Sequence, residues 1–452
     1  MHRRERCRQV SGARRPRSLQ RGRLSTSRRT FVSRLAAVGL ATPFGVRATS
    51  ALTPTTTATL TAIPTATPTA TLTTTPTAIS SGRFEPWVEV DAQAIRANVA
   101  TLARLAGGRP ITAVIKNNGY GLGLKEVGRV LDTAPEVKAL GVVKVAEALA
   151  LREAGIRKPI LLLALFDDAD GAALIRAGIT LSLCVPDIGA RVARAIARAG
   201  KPASGQCHGQ CYVDTGMSRM GLPYHTAAPI IRDLARLRGL TITGTFTELT
   251  EDPAFDVEQV RRLSALAAEL KAAGIATGPL HAASSHAVFN HSATLLDAVR
   301  PGISLFGAYP SDDGSERAIA PLVVALRLKA RVVRVERLRA GDTVSYGRHF
   351  KAEEPTWVAT IPMGHADGYP RRAVHGGAVV IGGRTFPAIG AVSASHTIVN
   401  LGLTTTVQVG DVVTLLGPDA PAIHPNALAT ATGTSVYDVL MHLSPALPRV
   451  VG

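Results

Sequence analysis

Apolar and polar positions follow two different rhythms along the chain. From residue 87 to about residue 320, short apolar runs alternate with longer segments whose apolar positions recur at helical spacing, as at 145–155 and 257–273. The runs predict strands at 111–115, 140–143, 160–165, 180–184, 210–213, 241–247, 280–283 and 303–305. Eight strands alternating with helices over roughly 220 residues is the arithmetic of a TIM-type (β/α)8 barrel, whose chemistry sits at the C-terminal ends of the strands. WVEV at 87–90 opens this body as a short strand, and Asp91 stands where it can cap the helix behind it. Past Pro321 the rhythm becomes alternation, as in 322–338, with Gly-Asp turns at 341–342 and 410–411. Strands without intervening helices predict an antiparallel β domain. The expected fold is therefore α/β: a barrel over 86–320, then an antiparallel β domain over 321–452.

Upstream of residue 86 neither rhythm is present. Residues 53–81 are almost entirely Thr, Pro and Ala, a composition that deletes backbone donors and solvates the rest, so 51–85 is read as a disordered linker. Within 1–50, SRRTFV at 27–32 precedes an uncharged apolar run at 35–46, the layout of a twin-arginine export signal. The run is too short to span a bilayer. The expectation is a protein exported already folded, to the periplasm or another extracytoplasmic site, with the linker holding its folded body away from a membrane or wall. The formal charge of +18 has the same origin. Residues 1–34 carry twelve arginines against one glutamate and Arg47 adds one more, which accounts for +12 and leaves about +6 for the rest. Basicity concentrated in a leader gives no reason to expect a nucleic-acid partner. With 452 residues and 46% hydrophobic content, the chain is long enough for two substantial cores.

The chemistry gathers around AVIKNNGYGLG at 113–123. An apolar strand delivers Lys116 into a glycine-rich turn. Burial disfavours an ammonium, and a neutral amine can form a Schiff base. Glycines at 119, 121 and 123 let the backbone turn sharply, and Tyr120 offers a hydroxyl to a phosphate. Alone, the segment more often marks a strand-end lysine that simply reaches solvent.

Other segments single out one family. DTGMSRMG at 214–221, HAASS at 281–285, VRPGISLFG at 299–307, VSYG at 344–347 and IPMGHADGYP at 361–370 follow the lysine segment in order. Together they resemble the fold-type III pyridoxal-phosphate racemases, the alanine racemases and their broad-specificity relatives, from about residue 87 to the C-terminus. The resemblance implies pyridoxal 5'-phosphate as cofactor, a free amino acid as substrate and a homodimer with shared active sites. It implies that Lys116 binds the cofactor as a Schiff base and acts as base on one face of the substrate α-carbon, while Tyr346 acts on the other face from across the dimer interface. It implies that Arg300 faces the pyridine nitrogen, and that Tyr120, Ser285, Tyr437 and the amides of Gly302 and Ile303 hold the phosphate. Arg219 would face the cofactor's phenolic oxygen and the substrate carboxylate.

Departures from the pattern bear on specificity and rate. Tyr212 stands where the family usually has a lysine that becomes carbamylated, so Arg219 needs another partner, that phenol or an anion. Glu248 replaces a histidine between the catalytic tyrosine and the ring-facing arginine; it would pair with Arg300, and if ionised near Tyr346 would make that phenol a poorer base. His365 replaces an inner-gate tyrosine, and Ala394 stands where methionine is usual. Cys207, His208 and Cys211 leave a metal's coordination sphere incomplete and are read as structural, so no metal is expected. The function expected is racemisation of alanine or of a broader set. The alternatives left open are another reaction of this cofactor class, a lyase or dehydratase, or a non-catalytic cofactor-binding protein of the cell wall.

Overall fold

The computed structural model describes residues 84–200 and 206–452. The export signal at 1–50 and all but the last two residues of the linker at 51–85 lie outside the described residues. Seven parallel strands run side by side in chain order: Ile111–Val114, Val137–Val142, Ile160–Leu162, Ile179–Leu183, Cys207–Asp214, Leu240–Phe246 and Leu280–His281. Their inward residues are fully buried, among them Ile111, Ala113, Leu140, Val142, Leu181 and Leu183.

The eighth position is filled by a minimal strand. Ala298 bridges His281 and Val299 bridges Ile111, both in parallel sense. Thr112 N–H donates to Val299 O at 2.9 Å and Val114 N–H to Pro301 O at 2.9 Å, which closes the ring. The strand expected at 303–305 is instead a 3-10 helix, Ile303–Phe306. Pro301 lacks the N–H that a ladder needs, and the apolar run behind it is buried against the helix Ala92–Leu105 rather than in the sheet. Such a run reports burial; it does not say which element is buried. One consequence places the site: Arg300 sits at the C-terminal end of the closing strand.

Beyond the barrel, nine strands form one twisted sheet in the order Arg334–Leu338, Thr356–Ile361, Thr397–Gly402, Arg384–Ile389, Ala378–Ile381, Val412–Leu416, Leu326–Arg331, Trp87–Val90, Arg449–Val451. Every neighbouring pair is antiparallel except the last, which is parallel. Trp87–Val90, expected to open the barrel body, thus belongs to the sheet of the later domain. Its partners lie more than 200 residues away in sequence, and local pattern carries no trace of them. Asp91 does cap the following helix, accepting from Ala94 N–H at 2.9 Å. The second domain also contains two short helices, Pro425–Thr432 and Val436–Met441. Among the described residues, no helix is long and apolar enough to cross a membrane.

Candidate active site

Lys116 leaves the first barrel strand into a turn of unusual hand. Asn117, Asn118, Gly119 and Tyr120 have φ of 53°, 57°, 61° and 53°, four consecutive residues in the left-handed region. That conformation costs a residue with a Cβ roughly 1–2 kcal/mol, and asparagine tolerates it better than most. The surroundings therefore have to hold the turn. Asn118 Oδ1 accepts from Leu124 N–H at 2.9 Å, and Glu147 Oε1 accepts from Asn118 N–H at 2.9 Å. At Gly121 a Cβ would lie 2.1 Å from Leu440 O, so only glycine lets the helix Val436–Met441 sit against the turn. That helix carries Tyr437, whose ring centroid lies 6.4 Å from that of Tyr120. Turn, helix and closing strand thus converge at the barrel mouth.

They enclose a cavity of about 610 Å³, lined among others by Lys116, Tyr120, Arg219, Glu248, Arg300 and Tyr437. Ser285, Gly302 and Ile303 line it as well. Burial, more than any neighbour, lowers the Lys116 pKa; Arg219 and Arg300 push the same way, while Glu248 and Glu147 oppose them. The amine is thereby readied to lose its proton. Ser285 Oγ accepts from Gly302 N–H at 2.9 Å, and the Ile303 N–H has no protein acceptor among the described residues. A Cβ on Gly302 would lie 2.3 Å from the Tyr120 hydroxyl. Hydroxyls and amides thus crowd one wall, as an anionic group requires. Burial raises the pKa of the Tyr120 and Tyr437 phenols above their ordinary value, so both stay protonated and able to donate.

Arg300 is only 3% exposed. Its Nη1 donates to His281 Nδ1 and His281 O, each at 2.8 Å, and its Nη2 to Thr247 O at 2.6 Å, Glu248 Oε1 at 3.1 Å and Ala282 O at 3.1 Å. Both terminal nitrogens are committed, which leaves the Nε–H for anything bound in the cavity. His281 must accept at Nδ1, so its proton is on Nε2, which donates to Gln210 Oε1 at 3.0 Å. Burial first, then Arg300, hold the His281 pKa well below its usual value and keep the ring neutral. Glu248 reaches both arginines, with Oε2 3.9 Å from Arg219 Nη2. The second partner of Arg219 is the Tyr212 phenol, which burial and then Glu248 push up to about 12. Arg219 is thus positioned by a phenol and a carboxyl group.

Three expected site residues lie elsewhere. Tyr346 is 77% exposed and lies outside the cavity of its own chain, between Ser345 at φ 62° and Arg348 at φ 54°. His365 and Ala394 are exposed on the same β domain. Ser345 Oγ donates to Ala391 O at 2.8 Å, and His365 N–H to Ser393 O at 3.0 Å, so the segments carrying all three residues are tied together. Sequence reasoning missed Glu147, Gln210 and the supports of the 248–251 segment. There the buried Asp256 accepts from Thr250 and Glu251 N–H, and Gln259 donates to Glu248 O at 2.9 Å. His281 stood in a quoted motif without a role; a polar residue at a barrel strand end was the available signal. Among the described residues no group of three or more metal-ligating side chains occurs, and Cys184, Cys207 and Cys211 are free and buried.

This geometry defines a two-domain barrel enzyme built around a lysine amine. Residues 90–310 match the family model described as alanine racemase, N-terminal domain, and residues 325–451 match that of the C-terminal domain. The chain belongs to the alanine racemase family and is a pyridoxal-phosphate-dependent isomerase of that kind. It is 35% identical over 373 residues to alanine racemase of Symbiobacterium thermophilum, covering 81% of this chain and 97% of that protein. To the Desulforamulus reducens alanine racemase it is 33% identical, over 80% of this chain and 98% of that one. Among solved structures, alanine racemase of Clostridium difficile superimposes with a TM-score of 0.75 at 27% identity, over 81% of this chain and 95% of that chain. The enzyme from D-cycloserine-producing Streptomyces lavendulae matches with a TM-score of 0.75 at 28% identity, covering 82% and 97%.

Proposed function

We propose that this enzyme interconverts the L and D forms of free amino acids, alanine among them, with two bases contributed by two subunits of a homodimer. The observation that carries the reading is the separation of the two groups: Lys116 lines the cavity at the barrel mouth, whereas Tyr346 stands exposed on a β-domain loop outside it. A base that returns a proton to the face it left changes nothing, so inversion needs groups on opposite faces of the α-carbon. A second copy of the chain brings its Tyr346 to this cavity, and an isologous dimer makes the exchange mutual.

The residues present fit pyridoxal phosphate: an amine of lowered pKa, neutral donors on one wall and a buried cation. Bound there, the cofactor supplies an electron sink that acidifies the substrate's α-C–H. Lys116 takes or returns that proton at Nζ on one face, and Tyr346 at its hydroxyl on the other. Tyr120, Ser285, Tyr437 and the Ile303 amide hold the phosphate. Arg300, permanently charged, keeps a proton off the pyridine nitrogen and so favours proton return over side reactions. Arg219 orients the substrate carboxylate, itself held by Tyr212 and Glu248. Incubating the purified enzyme with L-alanine and separating the products by chiral chromatography should give D-alanine; its absence with cofactor bound would overturn the reading.

The pocket is proposed to take side chains larger than a methyl group. His365 and Ala394 share a tied surface with Tyr346 and would reach the partner's cavity with it. Alanine in place of a thioether frees space, and one or two methylenes are worth roughly 1–3 kcal/mol of discrimination. In the wild type, kcat/KM for serine, methionine, lysine and arginine is expected within about a hundredfold of alanine. Ala394→Met should narrow that range; a thousandfold lead for alanine in both forms would sink the idea.

Export by the twin-arginine route is proposed from SRRTFV and the apolar run behind it. Replacing Arg28 and Arg29 with lysine should trap full-length enzyme in the cytoplasm, as fractionation would show. Unchanged export would mean another route.

A further inference from the structure

We infer that Glu147 is a positioning residue for Lys116: its carboxyl group clamps the left-handed turn at Asn118, and that clamp aims the amine into the cavity. Glu147 belongs to the helix Val145–Glu153 behind the second barrel strand, not to the segment that carries the lysine. It is 9% exposed. Its Oε1 accepts from Asn118 N–H at 2.9 Å, and its Oε2 is buried without a hydrogen-bond partner among the described residues. A carboxyl group held inside with one oxygen unserved is costly and needs a reason.

The turn gives that reason. Lys116 and Tyr120 stand at its two ends, and the three residues between them are all left-handed. Backbone in that region keeps its shape only where neighbours over-determine it. On the far side Asn118 Oδ1 holds Leu124 N–H, and Asn117 Nδ2 donates to Met441 Sδ at 3.4 Å. At Asn118, in the middle of the turn and two residues past the lysine, Glu147 is the one side-chain acceptor bound to the turn's own backbone N–H groups among the described residues. Without it Asn118 N–H would lose its acceptor and the turn would relax towards right-handed backbone, swinging Lys116 and Tyr120 apart. Glu147 also acts through space, opposing the burial that lowers the Lys116 pKa.

The inference rests on the racemase reading for one readout only. Holoenzymes of wild type, Glu147→Ala, Glu147→Gln and Glu147→Asp would be compared for kcat and KM with L-alanine, for the absorbance spectrum of bound pyridoxal phosphate, and for the share of borohydride-fixed label on Lys116. A misaimed amine is expected to lower kcat in Glu147→Ala by at least about tenfold with KM changed less than about threefold, to alter the spectrum and to reduce labelling. Glu147→Gln, which keeps an oxygen acceptor at the same reach, should recover most of each loss. A wild-type kcat and spectrum in Glu147→Ala overturns the inference, as does a folded Glu147→Gln no better than Glu147→Ala. Where Glu147→Ala does not fold, Glu147→Gln above Glu147→Asp supports it, and the reverse order overturns it. Should wild type make no D-alanine, the racemase reading fails, while spectrum and label still judge Glu147.

Discussion

Lys116→Ala is expected to lower kcat/KM for alanine at least about 10³-fold. Two contributions are lost together. On the proposed mechanism the amine is both the anchor for the cofactor's carbonyl and the base on one face of the α-carbon. Burial has already lowered its pKa, so its proton leaves more readily than from a solvated lysine. The wall formed by Tyr120, Ser285 and Ile303 is untouched by the substitution, so the variant should still hold pyridoxal phosphate without a covalent bond. Borohydride reduction and peptide mapping supply the check. In wild type the pyridoxyl label should fall on Lys116, and in the variant it should be absent. A label on another lysine, or a variant with near-normal turnover, would remove Lys116 from the centre of the reaction.

Mixing Lys116→Ala chains with Tyr346→Phe chains is expected to restore activity to two preparations that are each inactive alone. If each site takes its lysine from one subunit and its tyrosine from the other, a heterodimer holds one complete site and one lacking both groups. Random pairing would then recover about a quarter of wild-type activity, by counting sites in a two-fold dimer. The exposure of Tyr346 at 77% and the strained residues beside it fit a side chain whose surroundings come from elsewhere. Complementation requires subunit exchange, which sedimentation of the mixed and unmixed forms would follow. Activity that stays at the background of the single variants after exchange, or a fully active monomer, would contradict shared sites.

Glu248, expected to pair with Arg300, reaches a second arginine as well. One carboxyl group reaches the buried Arg300 at 3.1 Å and the exposed Arg219 at 3.9 Å, linking the two arginines of the site. Tyr212 completes the support of Arg219. Tyr212 lies on the strand Cys207–Asp214, stacked on Phe246 of the adjacent strand at 4.5 Å between ring centroids, and Glu248 lies two residues past the end of that adjacent strand. In the chain Tyr212 and Glu248 are 36 positions apart, and nothing in the sequence relates them.

The sequence by itself determined the barrel, the β domain after it and the lysine between strand and glycine-rich turn. Those signals are local: the period of apolar positions, the places of glycine and proline, and short segments whose spacing is tied to one chemistry. It could not determine what closes the barrel, because Ala298 and Val299 are two residues without a pattern of their own, and the apolar run that resembled a strand is buried as a 3-10 helix. Nor could it assign Trp87–Val90 to the later sheet, pair Arg300 with His281 and Glu248, or place Glu147 beneath the lysine's turn. Each of these is a long-range hydrogen bond or strand pairing, and its partner is chosen only when the whole chain is packed.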